Sequence, residues 1–264
     1  MSVDYEAAAR ELFDARESGT PCPPLRGRLL PEGDVDTAYQ VQQLQVRRWL
    51  DAGHRRVGAK VGLTSRAVQE SFGVFQPDFG VLLDDMAVPD GAEVEMDRLL
   101  QPRVEAEVAF VLGADLPDEW ITSADVIRAV DHVLPAIEIV DSRVAGWDIS
   151  IVDTVADNAS SGLFVLGTTP RRLTDVDLRL CGMVLEQAGE PVSVGAGAAC
   201  LGNPLHAVQW LAQTMARSGD PLRAGDVVLS GALGPMLPVT AGAAYEARIS
   251  GLGSVRVCFS GEAS

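Results

Sequence analysis

Cysteine and histidine are scarce and ungrouped. Cys22, Cys181, Cys200 and Cys258 form no CxxC pair, so no thiolate zinc site and no redox dithiol is written into the chain. They read as free thiols of a protein in the reducing cytoplasm. His54, His132 and His206 lie apart in helix-like contexts, none with a partner at ligand spacing, and read as surface or packing residues. Positive charge is also short, with 21 Lys and Arg against 37 Asp and Glu and a formal charge of −16. That excess argues against nucleic acid or an anionic membrane as the main partner. It also means that an anionic substrate needs a local cation. No apolar run approaches the ~20 residues needed to span a bilayer. The N-terminus lacks the basic start and apolar core of a secretory signal. No GxGxxG opens a helix after a strand, and there is no Walker loop and no GxSxG elbow, so nucleotide binding and serine-hydrolase chemistry have no support.

The most informative stretch that is present is QPRVEAEVAFVL, residues 101–112. Its apolar pattern predicts a strand. Glu105 and Glu107 then share one face, while Val104, Ala106, Val108 and Phe110 share the other. Like charges on one sheet face repel, and a buried carboxylate costs several kcal/mol unless compensated. A cation is the simplest compensation; a solvated sheet face is the alternative. A third carboxylate, Glu138, sits at the centre of the apolar run AIEIV, residues 136–140. Three oxygen donors without Cys or His point to a hard divalent ion, Mg²⁺ or Mn²⁺.

In chain order, residues 3–17 predict an Ala-rich helix ending near Gly19. Thr20–Gly33, with four prolines, predicts a loop. Asp36 is expected to cap a second helix with Ala38, Val41, Leu44 and Trp49 inward. Residues 1–55 thus form a helical N-terminal segment packing on the core, and residues 56–264 a β-rich unit that carries the function. Lys60 lies in the strand-like run VGAKVG. It is either an edge residue whose head stays wet or a buried cation with a task. QPDFG, residues 76–80, reads as a turn containing Asp78. A helix is expected from Ser123 to about Val133, ended by Pro135. TVADNASS, residues 154–161, reads as a polar loop. Short β-runs follow at 178–186, 191–198, 227–230, 244–249 and 254–259, interrupted by one helix capped by Asn203 with Pro204 at its first position. The fold class is α+β, with a rolled, barrel-like mixed sheet.

KVGLTS, QPDFG, QPRVEAEVAFVL, PAIEIVDSR, VDTVADNASS, GNPLHAVQWLA and LSGALGPM occur here in one order. Together they resemble the hydratase and 4-oxalocrotonate decarboxylase group of the fumarylacetoacetate hydrolase superfamily, over roughly residues 30–260. QPDFG and GALGPM resemble the hydratase side. The resemblance implies a rolled β-sheet with peripheral helices and a divalent metal held by Glu105, Glu107 and Glu138. It implies catalytic roles for Lys60 and Asp78, and a substrate-facing Ser160, with Leu63 and Phe79 beside the substrate. The implied reaction is hydration of 2-hydroxypenta-2,4-dienoate, late in meta-cleavage breakdown of aromatic rings. The alternative is decarboxylation of 4-oxalocrotonate, which would need a further cation for a second carboxylate; Arg143 is the candidate, unless it serves Asp141. A homo-oligomer is implied, and association with other enzymes of the pathway is open to it. The fumarylacetoacetate hydrolases proper also use a catalytic His. No matching motif is present, so C–C bond hydrolysis is disfavoured. All three carboxylates are present, which disfavours a non-catalytic partner subunit.

Overall fold

The structure, a computed structural model, describes residues 3–261, except the side chains of residues 71 and 72. Residues 1–2 and 262–264, the outer ends of the two expected segments, lie outside the described residues. The chain opens with helices α1 (Tyr5–Ser18) and α2 (Val35–Asp51). Asp34, not Asp36, caps α2: its carboxylate accepts the Thr37 N–H at 3.1 Å. Leu44 is only half-buried, and Gln42 and Gln45 point inward in its place. Both glutamines spend their side-chain N–H groups on backbone carbonyls. Gln42 donates to Phe79 (2.8 Å) and Val155 (3.2 Å), and Gln45 to Ala156 (2.5 Å). Two of these carbonyls end a short helix, α5 (Ile151–Ala156), whose last turn otherwise leaves them without intrahelical partners. α1, α2 and α5 share a small apolar core that includes Leu12, Leu25, Val41, Val152 and Val155.

The remaining elements build two sheets. The larger contains β1 (Arg56–Gly62), β2 (Asp78–Leu83), β3 (Ala87–Val88), β5 (Pro102–Leu112), β6 (Val130–Asp141), β7 (Ser161–Leu166), β10 (Val227–Leu229) and β11 (Leu237–Pro238). Its order is β2-β1-β10-β5-β6-β7-β3, with β11 beside β5. The β1–β10 and β3–β7 pairs are parallel and the others antiparallel. The smaller sheet, β4-β13-β12-β8-β9, is made by Glu93–Val94, Gly253–Phe259, Ala244–Ile249, Gly182–Gln187 and Glu190–Ala196. Its strands β12 and β13 pack on β6, and the main core lies between the sheets. The expected rolled, mixed α+β architecture is present. Helices α3 (Arg66–Phe72), α4 (Ser123–Ala129) and α6 (Pro204–Arg217) lie around it. Asn203 caps α6, as expected, by accepting the Leu205 N–H at 3.0 Å.

Three local expectations are corrected. α4 stops at Ala129, and β6 takes over at Val130 and runs straight through Pro135. Pairing with β5 outweighs local helical preference there. Pro135 is tolerated because the β7 ladder reaches only to Ala136, and the Pro135 carbonyl still accepts the Gly167 N–H at 2.8 Å. Asp78 opens strand β2 rather than sitting in a turn. Residues 154–161 are not a simple loop: they contain the end of α5 and a tight turn leading into β7.

Candidate active site

The register of β5 and β6 creates the site. Glu105 stands directly opposite Glu138 across the ladder, and Glu107 lies one step along, opposite Ala136. Two carboxylates at facing positions of an antiparallel pair destabilise the sheet, so this pairing needs a counter-charge. Glu107 and Glu138 are buried and Glu105 is half-buried. One oxygen from each of the three lies within 4.8 Å of the others. Glu107 Oε2 accepts the Gly231 N–H at 2.8 Å. Glu107 Oε1 and Glu138 Oε2 are buried without a partner, and Glu138 Oε1 has only an ion pair with Lys60. Orphaned anionic oxygens facing one another are the donor set of a hard cation. The residues therefore fit a divalent metal.

Lys60 enters from β1, its ammonium nitrogen 3.1 Å from Glu138 Oε1. It is buried, so the wet edge position left open by the sequence is excluded. Burial works against its charge, but Glu138, Asp78, Glu105 and Glu107 outweigh burial and raise its pKa. Asp78, at the start of β2, is buried with Oδ1 unpartnered. Burial pushes its carboxyl up to about 6, with Lys60 opposing and Glu138 reinforcing. Burial, followed by Glu138, pushes Glu105 to about 7 and Glu107 well above the carboxylate range. A divalent ion would offset this cost of burial and favour the ionised carboxylates.

Lys60, Asp78 and Glu105 meet at a cavity of about 320 Å³. Lys60, Asp78, Glu105, Ser160 and Thr154 supply its polar wall, and Leu63, Val68, Val140, Ile149 and Met236 its apolar wall. Gly62 faces Asp78 across the β1–β2 ladder, and a side chain there would meet Asp78 Oδ1 at 2.2 Å. Ser160 is buried, its hydroxyl 3.2 Å from that of Thr154. It ends a run of three residues, Asn158, Ala159 and Ser160, each with φ of 52°. That left-handed conformation costs ~1–2 kcal/mol per residue with a side chain.

Phe79 does not line this cavity. It follows Asp78 on a strand, so its ring takes the opposite face, where it stacks on Tyr39 at 4.8 Å and borders a separate cleft. Arg143 is also elsewhere. It is buried against Asp157, while the Asp141 carboxylate accepts the Leu100 and Gln101 N–H groups instead. The cavity's second cation is Arg103, stacked 4.3 Å over the Trp147 ring. Arg103 shares the face of Glu105 and Glu107 by the same spacing of two, a signal present in the sequence. Thr154 opens the polar run TVADNASS, whose composition suits a pocket-lining loop, whereas Trp147 carries no signal in the sequence. Among the histidines, His54 comes within 3.7 Å of Asp84 and 3.6 Å of Asp85, a group that could also hold a metal. Arg16 and Arg55 already supply positive charge to those two carboxylates.

A rolled sheet carrying three convergent carboxylates, with a buried lysine and aspartate beside them, defines a class. Residues 52–260 match the family described as Fumarylacetoacetate (FAA) hydrolase C-terminal, and the chain belongs to it. Within that family the similarity is narrower. The chain is 58% identical over 252 residues (96% of this chain, 94% of the relative) to the TodF product hydratase of Pseudomonas putida. It is 55% identical over 254 residues (96% and 94%) to the 2-keto-4-pentenoate hydratase of Paraburkholderia xenovorans. Among solved structures, the 4-oxalocrotonate decarboxylase of Pseudomonas putida G7, complexed with magnesium and adipate, superposes with a TM-score of 0.90 at 37% identity, covering 98% of this chain and 99% of that one. Among the described residues, no helix is long and apolar enough to cross a membrane.

Proposed function

We propose that this chain is a hydro-lyase that adds water to 2-hydroxypenta-2,4-dienoate, giving 4-hydroxy-2-oxopentanoate. The observation that carries the reading is the cluster of three strand-borne carboxylates, with buried unpaired oxygens, of which Glu105 lines a cavity that also holds Lys60 and a protonatable Asp78. Identity above one half to relatives named as 2-keto-4-pentenoate hydratases supports the choice of substrate. Glu105, Glu107 and Glu138 would hold Mg²⁺ or Mn²⁺, which when bound supplies the positive charge that draws electrons toward the substrate's 2-oxo oxygen. The protein's own groups do the rest. Lys60 neutralises the substrate carboxylate and keeps it at the carboxylate end of the cavity. Asp78, with a pKa of about 6, is matched to giving and taking protons near neutrality. It delivers a proton to C5 of the dienol while the 2-hydroxyl proton leaves to solvent, generating the 3-enoate ketone. As an anion it then takes a proton from the water that attacks C4 and passes it to C3 of the resulting enolate, and solvent reprotonates it. The Ser160 hydroxyl orients the substrate, and Leu63 with its apolar neighbours excludes bulk water from the hydrocarbon end.

The second reading, decarboxylation of 4-oxalocrotonate, is favoured by one observation: Arg103 places a guanidinium in the cavity wall. One experiment separates the two. The purified protein is given 2-hydroxypenta-2,4-dienoate with EDTA and then with Mg²⁺ or Mn²⁺. Metal-dependent loss of the dienol absorbance, with 4-hydroxy-2-oxopentanoate formed and no carbon dioxide, is the expected result. No turnover, with carbon dioxide released from 4-oxalocrotonate, would move the chain to the decarboxylase reading. We also infer a cytoplasmic homo-oligomer in aromatic-ring catabolism. The four unpaired cysteines support the compartment. Phe75 and Trp120, 93% and 89% exposed, support burial against another chain.

A further inference from the structure

We infer that Arg143 and Asp157 are positioning residues for the hydration reaction: their buried ion pair holds the left-handed turn that presents the Ser160 hydroxyl to the cavity. The inference rests on the hydratase reading and adds two residues that touch neither substrate nor metal site.

The Arg143 guanidinium brackets the turn. Nη2 donates to the carbonyl of Asp157 at 2.5 Å, just before it, and Nη1 to the carbonyl of Ser161 at 2.7 Å, just after it. Nη1 also donates to the carbonyl of Asp141 at 2.5 Å, and Nε donates to Asp157 Oδ1. Asp157 Oδ2 accepts the Arg143 backbone N–H at 3.0 Å and lies 3.5 Å from the Ser160 hydroxyl. Both charged residues are buried. A buried ion pair is weak grounds for stability, since apolar side chains of similar volume serve as well or better. Its use here is geometric. Three consecutive side-chain-bearing residues at φ 52° persist only where the surroundings over-determine them.

The turn is also tied to the strand of Asp78. The Asn158 side chain accepts the Val81 N–H at 2.8 Å and donates to the Val81 carbonyl at 2.9 Å. The Asn158 carbonyl lies so close to Gly80 that an added Cβ would sit 2.3 Å from it. Ser160 and Asp78 are therefore parts of one rigid unit, and Arg143 is its staple. A lysine cannot reproduce the staple, because its single ammonium lacks the planar fork that reaches carbonyls on both sides.

The test is a double-mutant cycle on the Mn²⁺-loaded protein with 2-hydroxypenta-2,4-dienoate. Arg143→Lys is expected to lower kcat by about 10- to 100-fold, with KM changed little and Mn²⁺ affinity by calorimetry unchanged. In the Ser160→Ala background the same substitution is expected to lose most of its effect, keeping only what passes through the tie to the Asp78 strand. An equal loss in both backgrounds, or full kcat in Arg143→Lys, overturns the inference. If Arg143→Lys does not fold, Asp157→Asn takes its place in the same cycle with the same expected outcome. Failure of both variants to fold would mark the pair as structural and also overturn it. Failure of the hydratase reading is distinguished by the unmodified protein itself, which would show no turnover of the dienoate, and the inference would then fall with it.

Discussion

Gly62→Ala is a one-atom test of Asp78. The added Cβ would sit 2.2 Å from Asp78 Oδ1 and 3.2 Å from its Cγ, with no closer contact elsewhere. A relaxed carbon–oxygen contact is about 3.3 Å, so the carboxylate must retreat by about 1.1 Å. Gly62 does not have a positive φ, so alanine brings no backbone strain. A misplacement of about 1 Å costs on the order of 10²-fold in rate, equivalent to about 2.7 kcal/mol of transition-state stabilisation. The assay is loss of dienol absorbance under saturating Mn²⁺. Gly62→Ala is expected to lose about 100-fold in kcat while binding Mn²⁺ as before, because Asp78 is not in the carboxylate group that faces the cation. In an Asp78→Ala background the space is free, and the same substitution is expected to add nothing. Full activity in Gly62→Ala would refute the claim that the position of the Asp78 carboxylate governs turnover. A loss that persists undiminished in the Asp78→Ala background would refute the claim that the effect runs through Asp78.

Three other outcomes follow from the same geometry. Glu105, Asp78 and Asp157 have carboxyls pushed up to about 7, 6 and 6 by burial, so between about pH 4 and 7 the folded protein binds more protons than the unfolded chain. The metal-free protein therefore loses stability as pH rises through that window, and Mn²⁺ restores it increasingly toward pH 8. Calorimetric Tm values in EDTA and in Mn²⁺ check this, and a metal-free Tm that climbs from pH 5 to 7 contradicts it. Gly231→Ala should weaken Mn²⁺ binding by about 10- to 100-fold, because Gly231 has φ 96°, its N–H orients Glu107, and a Cβ would sit 2.4 Å from Thr64; titration calorimetry reads this. Lys60→Met should lower kcat by about 10²–10⁴-fold yet tighten Mn²⁺ binding, since a competing cation 3.1 Å from Glu138 is removed. A parallel fall in both would show that Lys60 instead keeps the carboxylates in place.

The carboxylates were legible because strand spacing is rigid. A period of two puts Glu105 and Glu107 on one face whatever surrounds them, and an apolar run with one central charge singles out Glu138. The same rule puts Arg103 on that face. What could not be read depends on partners distant in the chain. β6 passes through Pro135 because β5 pairs with it and β7 has ended. Gln42 and Gln45 turn inward because carbonyls more than thirty residues away need donors. Nothing in Asn-Ala-Ser predicts three left-handed residues, since only the asparagine favours that conformation. The resemblance puts Phe79 beside the substrate, whereas strand alternation puts it on the face opposite Asp78.

The insertion of β10 between β1 and β5 has a consequence for how the protein is made. The strand carrying Lys60 cannot settle beside the one carrying Glu105 and Glu107 until Val227–Leu229 has been synthesised and threaded into place. A ribosome extending the chain toward its end would therefore hold the carboxylates without their frame. The carboxylates of β5 and β6 can face one another early, but Lys60 joins them only once a three-residue strand docks against sequence made long before it.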